Sequence, residues 1–112
     1  EAFESLVDKD RIEVQYIPAE CKHNAHMFYL KCKDLKERTE YINFMKSKEV
    51  GCVFHYIPLH SAPAGLKFGR FNGEDVFTTQ ESERLVRLPL YYNMTGKDLN
   101  TVIEATISYF NK

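Results

Sequence analysis

Apolar positions recur along this chain with two different periods. Phe3, Leu6 and Val7 stand at helical spacing at the very start, so residues 1–8 read as the end of a helix. In RIEVQYIP, Ile12, Val14 and Tyr16 alternate with polar partners, the period of a half-buried strand, and Pro18 closes it. AECKHNAH reads as a loop. HMFYLKC, dense in aromatic and branched residues, reads as a central strand. Asp34 with Glu37 three residues later fits a helix start, where one side chain accepts from a free backbone N–H and the other reaches back. The helix that follows puts Leu35, Tyr41, Ile42 and Met45 roughly on one face. Lys46 and Lys48 suit the negative end of its dipole, and Gly51 stops it.

CVFHYI is the next predicted strand. Pro58 and Pro63 prevent its simple continuation. Residues 64–77, with Gly65, Gly69 and Gly73 among Phe68, Phe71 and Phe77, read as a long loop. Thr78 and Glu81 predict a second capping box, for a short helix to about Arg87, and LPLYYNMT is expected to be extended. Thr95 and Asp98 predict a third cap. Leu99, Val102, Ile103, Ile107 and Phe110 then trace an amphipathic helix. The order of elements implies an α+β fold: a small, mostly antiparallel sheet covered by helices on one face.

Composition narrows the classes. At 112 residues the chain is one domain, spanning 1–112, and it is 44% hydrophobic and 28% charged, as in ordinary globular proteins. Net charge is −1 and no basic block exists to neutralise a phosphate backbone, which argues against nucleic-acid binding. No apolar run reaches the length of a membrane span, and residues 1–15 lack the pattern of a signal peptide. Cys21, Cys32 and Cys52 are odd in number and widely spaced, which reads as reduced thiols in a cytoplasmic protein. The first residue is Glu, not Met, as expected of a piece cut from a longer protein.

Several clusters invite chemistry, each beside a plainer reading. Cys21, His23, His26 and Cys32, with Cys52, His55 and His60 downstream, raise the idea of a small zinc protein. The paired arms of structural zinc sites are not present cleanly, and loop histidines with buried thiols account for them as well. A Cys52 nucleophile would need a base close by. On a strand His55 points to the opposite face, so Cys52 reads as core. His55 admits two readings, a satisfied structural histidine or a cleft group. Tyr56 and His60 follow it, and flanking prolines would hold these side chains toward one cleft. Lys67 and Arg70 in GLKFGRFNGED could wrap a phosphate, but the P-loop order is absent and a solvated loop also fits. Tyr91 and Tyr92 could stack on a ring or simply pack. Neither a Ser-His-Asp order nor paired catalytic carboxylates nor a dinucleotide fingerprint is found.

NAHMFYL, then KSKEVGCVFHYIPLHSAPAG, then SERLVRLPLYYNMTGKDLNTVIEATISYF resemble, in order and over nearly the whole chain, the C-terminal part of the sugar-nucleotide aminotransferases of the DegT type. These are fold-type I enzymes that use pyridoxal phosphate. Within them the resemblance is strongest to the dTDP-4-amino-4,6-dideoxygalactose transaminases of polysaccharide biosynthesis, which aminate dTDP-4-keto-6-deoxyglucose from glutamate. The resemblance implies that EAFESL ends the helix joining two domains. It also implies that the large N-terminal domain, absent here, holds the Schiff-base lysine, the acidic partner of the pyridinium nitrogen and most of the phosphate cradle. Lys31, Lys46, Lys67 and Lys97 match none of these groups. His55 matches the histidine that faces cofactor and substrate, in a supporting catalytic role. Tyr56, His60, Lys67 and Arg70 are the substrate-binding candidates, with residues 63–70 reaching the nucleotide sugar, and the parent enzyme is expected to be a homodimer. Pyridoxal phosphate belongs to that parent, none being expected on this chain alone. A free-standing nucleotide-sugar-binding domain is the alternative. A cut fragment should also expose an apolar surface, and Phe3, Leu6 and Val7 are the expected candidates.

Overall fold

A computed structural model describes residues 1–112 as five helices and one four-stranded sheet. In chain order these are α1 (Glu4–Asp8), β1 (Glu13–Val14), β2 (Phe28–Lys31), α2 (Leu35–Ser47), β3 (Val53–Phe54), α3 (Pro63–Phe68), α4 (Thr78–Arg84), β4 (Leu85–Leu88) and α5 (Gly96–Phe110). The strands lie in the order β1-β2-β4-β3, and every neighbouring pair is antiparallel. This is the expected α+β fold.

Register sorts the sheet residues by face. Val14 opposes Leu30, Leu30 opposes Val86, and Val86 opposes Phe54. Leu30 and Val86 are fully buried, in a core shared with Leu6 of α1, Tyr41 and Met45 of α2, and Val102, Ala105 and Phe110 of α5. The alternate residues Glu13, Lys31, Tyr29, Arg87 and Val53 also oppose one another, so they share the second face. None of them is buried, and Val53 is 54% exposed. The helices therefore cover one face and leave the other open.

The caps hold this frame. Asp34 accepts from the Glu37 amide at 2.8 Å, while the Glu37 carboxylate accepts from Lys33 N–H, one residue earlier than a full capping box requires. At α5 the box is complete, since the Thr95 hydroxyl accepts from Asp98 N–H and the Asp98 carboxylate from Thr95 N–H. Between the two helices, the Tyr41 and Thr106 hydroxyls meet at 2.8 Å inside the core.

Several expectations are corrected. The loop expected at 64–77 begins with a helix, α3. Pro63 is preset for a first helical turn. A Cβ on Gly65 would come within 1.6 Å of the Leu59 carbonyl oxygen, so this glycine permits a close approach rather than breaking the helix. The helix expected to about Arg87 ends at Arg84. Leu85–Leu88 instead is the strand between β2 and β3, because pairing on both edges and the inward Val86 and Leu88 outweigh local helix preference. Thr78 does not cap α4; Asp75 does, accepting from Thr78 N–H at 2.9 Å. Tyr16 does not share the core face, being 82% exposed beyond the two paired residues of β1. Leu35 and Leu99, expected on buried helix faces, are 42% and 48% exposed. Finally, Phe3 and Leu6 are packed into the core, and of the three start residues only Val7 is exposed. The large exposed apolar side chains concentrate instead at Val53–Phe77 and Leu90–Tyr92.

Candidate functional site

His55 follows directly on β3 at the edge of the sheet. Its ring meets Tyr56 edge-on, with centroids 3.9 Å apart. Partial desolvation, and then the positive charges of Arg87 and His26, hold its imidazole below the ordinary histidine value. Two positions on from Val53, His55 lies on the side of the open sheet face, where Arg87 stands between Tyr29 of β2 and Val53 of β3. A half-buried imidazole kept neutral can accept or pass a proton near neutral pH.

The rest of that face is electrostatically closed. Lys31 pairs with Glu13 at 3.2 Å and with Glu81 at 2.6 Å, and Arg84 pairs with the same two carboxylates. The guanidinium of Arg84 keeps the Glu13 carboxyl below the usual range, and Lys31 does the same for Glu81.

His60 belongs to a separate group. Its Nε2 lies 2.9 Å from Asp75 Oδ2, and its ring packs on Phe71 at 4.4 Å. Asp75 also accepts from the amides of Thr78 and Thr79 and from the Thr79 hydroxyl. Those bonds, the Thr79 hydroxyl first, lower its carboxyl below the ordinary value. His60 thus ties the turn before α3 to the start of α4. Lys67 lies exposed on α3 with its ammonium 5.0 Å from the Phe68 ring, and Arg70 is exposed just beyond. The structure brings His55 and Tyr56 together, gives His60 and Lys67 other neighbours, and leaves Arg70 exposed.

The remaining clusters come apart. Cys32 and Cys52 are buried, and burial pushes both thiols up to about 12. Cys21 is exposed, and His23 is engaged with Gln15 and the Ala25 amide. No group of three or more His, Cys, Asp and Glu side chains is placed to hold a metal ion. No helix is long and apolar enough to cross a membrane. A cavity of about 730 Å³ lies elsewhere, between α1, the start of α5 and the ends of β1, β2 and β4. Phe3, Val7, Phe28, Leu88 and Val102 line it, and it reaches none of the predicted site residues.

Sequence reasoning passed over Arg87, Asp75 and Phe71. The alternation Leu85-Val86-Arg87-Leu88 carried a signal for Arg87, since a cation at an odd position of an apolar strand must face outward.

A two-layer α+β domain with one open, histidine-bearing sheet face is the class these features define. Residues 1–107 match the DegT/DnrJ/EryC1/StrS aminotransferase family, and the chain belongs to that family. An uncharacterised protein of Methanocaldococcus jannaschii, MJ1066, is 33% identical over 109 residues, covering 94% of this chain and 28% of that protein. Among solved structures, the aminotransferase TlmJ of Streptoalloteichus hindustanus is similar with a TM-score of 0.81 at 20% identity, over 98% of this chain and 29% of that one. DesV of S. venezuelae, in complex with a ketimine intermediate, gives 0.84 at 16% identity, over 99% of this chain and 29% of that one. NtdA of Bacillus subtilis, with bound cofactor PMP, gives 0.79 at 19% identity, over 99% of this chain and 26% of that one. The chain thus spans less than a third of the length of these proteins.

Proposed function

We propose that this chain is the C-terminal small domain of a pyridoxal-phosphate-dependent aminotransferase that aminates a dTDP-4-keto-6-deoxyhexose from glutamate. Its role is to close one side of the active-site cleft. The observation that carries this reading is the position of His55: half-buried, held neutral, and seated at the margin of an open sheet face in a chain of this family. Its partners are the large domain of the same protein, the nucleotide sugar and, in the parent, a second subunit.

The cofactor fits this chain only as something it faces. Lys31, the lysine of the sheet, is locked between Glu13 and Glu81, and the charges that act on His55 come from Arg87 and His26, not from a lysine. When bound by the parent, pyridoxal phosphate supplies the electron sink for moving the amino group. The residues here orient and shield. The neutral His55 ring can hold or relay a proton at the mouth of the cleft, Tyr56 limits its rotation, and Lys67 and Arg70 reach toward the nucleotide.

The test is to incubate the full-length protein and the 112-residue chain separately with glutamate and dTDP-4-keto-6-deoxyglucose, following the amino sugar by mass. Product from the full-length protein alone is expected, reduced at least tenfold by His55→Ala. Transamination by the short chain would overturn the fragment reading. Tight dTDP-sugar binding without product in either preparation would favour a binding domain.

A further inference from the structure

The geometry points to Arg87, flanked by Tyr29, His55 and His26 on the open face of the sheet, as the seat of a substrate oxyanion, either a carboxylate or a phosphoryl group. The inference rests on the proposed reading, in which this face looks into the cleft, and names what it recognises there.

Arg87 is the unmatched cation of its face. Lys31 has a carboxylate directly across the strand pair, Glu13, and shares Glu81 with Arg84. The positions opposite Arg87 are Tyr29 and Val53, which carry no charge to offset it. Arg87 takes part in no ion pair and no side-chain hydrogen bond, and its guanidinium lies over no aromatic ring. The residue is half-buried, yet its guanidinium nitrogens keep contact with solvent, so the head group is open to an incoming anion. Its neighbours add to the imbalance. His55, two positions on from Val53, brings ring nitrogens rather than a carboxylate to this side of the sheet, and Tyr56 adds a hydroxyl rather than an acid. A patch of one sign bordered by donors attracts an anion.

The backbone suits recognition as well. Arg87 lies in the strand with partners on both sides, so its Cα is held by pairing on both edges, unlike Lys67 on the short helix α3 or Arg70 beyond it. A guanidinium on a rigid strand can present two parallel N–H donors to one carboxylate or phosphate, which an ammonium cannot do. In an aminotransferase of sugar nucleotides two substrates carry such groups, the amino donor's carboxylate and the nucleotide's diphosphate.

The experiment titrates the isotope-labelled 112-residue chain, and its Arg87→Gln and Arg87→Lys variants, with glutarate or inorganic pyrophosphate. Ionic strength is matched with chloride, and the Arg87 Nε–H and His55 ring signals are followed. Saturable shifts in the wild type with at least one probe are expected, weakened tenfold or more in Arg87→Gln and only partly restored in Arg87→Lys. Glutarate alone assigns the donor carboxylate, pyrophosphate alone assigns the diphosphate, and both together assign an unselective oxyanion seat. No shift beyond that of chloride, or equal affinity in wild type and Arg87→Gln, overturns the inference. If Arg87→Gln does not fold, Arg87→Lys and the wild-type comparison with chloride decide. No step of this test needs catalysis, so a failed transamination assay and a failed anion titration are separate results.

Discussion

Thr106→Val is the substitution with the sharpest expected consequence for the frame behind the site. The Thr106 hydroxyl lies 2.8 Å from the Val102 carbonyl and 2.8 Å from the Tyr41 hydroxyl. Its single proton goes to the carbonyl, so Tyr41 O–H donates to Thr106. Both residues are 0% exposed. Valine keeps the shape but strands the Tyr41 hydroxyl without an acceptor, which costs about 1–3 kcal/mol, and complete enclosure favours the upper half of that range. Tyr41→Phe removes the donor instead, leaves Thr106 bonded to Val102, and should cost about 0.5–1.5 kcal/mol. The double variant strands nothing and should be more stable than Thr106→Val alone. Urea unfolding of the four proteins measures each loss, since a chain of this size is expected to unfold in one step. Losses that simply add in the double variant, or a Thr106→Val cost below that of Tyr41→Phe, would refute the donor assignment.

Two further predictions concern groups nearer the surface. Of the three thiols, Cys21 should react promptly with a thiol reagent in the native protein, whereas Cys32 and Cys52, both pushed up to about 12 by burial, should react only on unfolding; counting thiols modified before and after denaturant checks this. The Asp75 carboxyl is held below its ordinary 3.8 in the fold, so its stabilisation is present above that pH and is lost as pH falls through the lower folded value. Protection of the Thr78 and Thr79 amides, their exchange relative to a free peptide at the same pH, should therefore fall in acid, and Asp75→Asn should remove most of that pH dependence.

Local signals carried much of the fold. The Asp34 and Thr95 starts, the 3.6-residue stripe of α5 and the aromatic run of β2 were all legible, because each depends on residues within one turn or one strand. What was not legible depends on partners. Leu85–Leu88 becomes a strand only because β2 and β3 lie on either side of it, and no local pattern announces both neighbours. Gly65 and Gly69 looked like breakers, when one of them lets α3 approach the Leu59 carbonyl. At the site, the proximity of His55, Tyr56 and His60 in sequence suggested one cleft. The segment instead carries His60 away to Asp75, fifteen positions downstream, a contact that no spacing rule anticipates. Arg87 was readable only once the register showed which face it shares.

The exposed apolar residues connect this geometry to the proposed role. Leu59, Leu66, Phe68 and Phe77 are each more than 70% exposed, and all lie between β3 and the start of α4. Their helices and turns are short, so this segment has little core of its own, and water meets much of what would ordinarily be inside. A chain spanning 28% of its curated relative leaves a large body of family structure to cover such a surface. On the proposed reading the large domain does so, and residues 59–77 fold over it while the sheet face supplies a fixed wall. The free chain should then self-associate as its concentration rises. Leu66→Lys with Phe68→Lys, both on exposed positions of α3, should return it to monomer with its thermal midpoint little changed. Sedimentation velocity over a concentration series measures this. A wild-type chain that stays monomeric at high concentration would mean that these side chains need no cover, and the assignment of this surface to the large domain would fall with it.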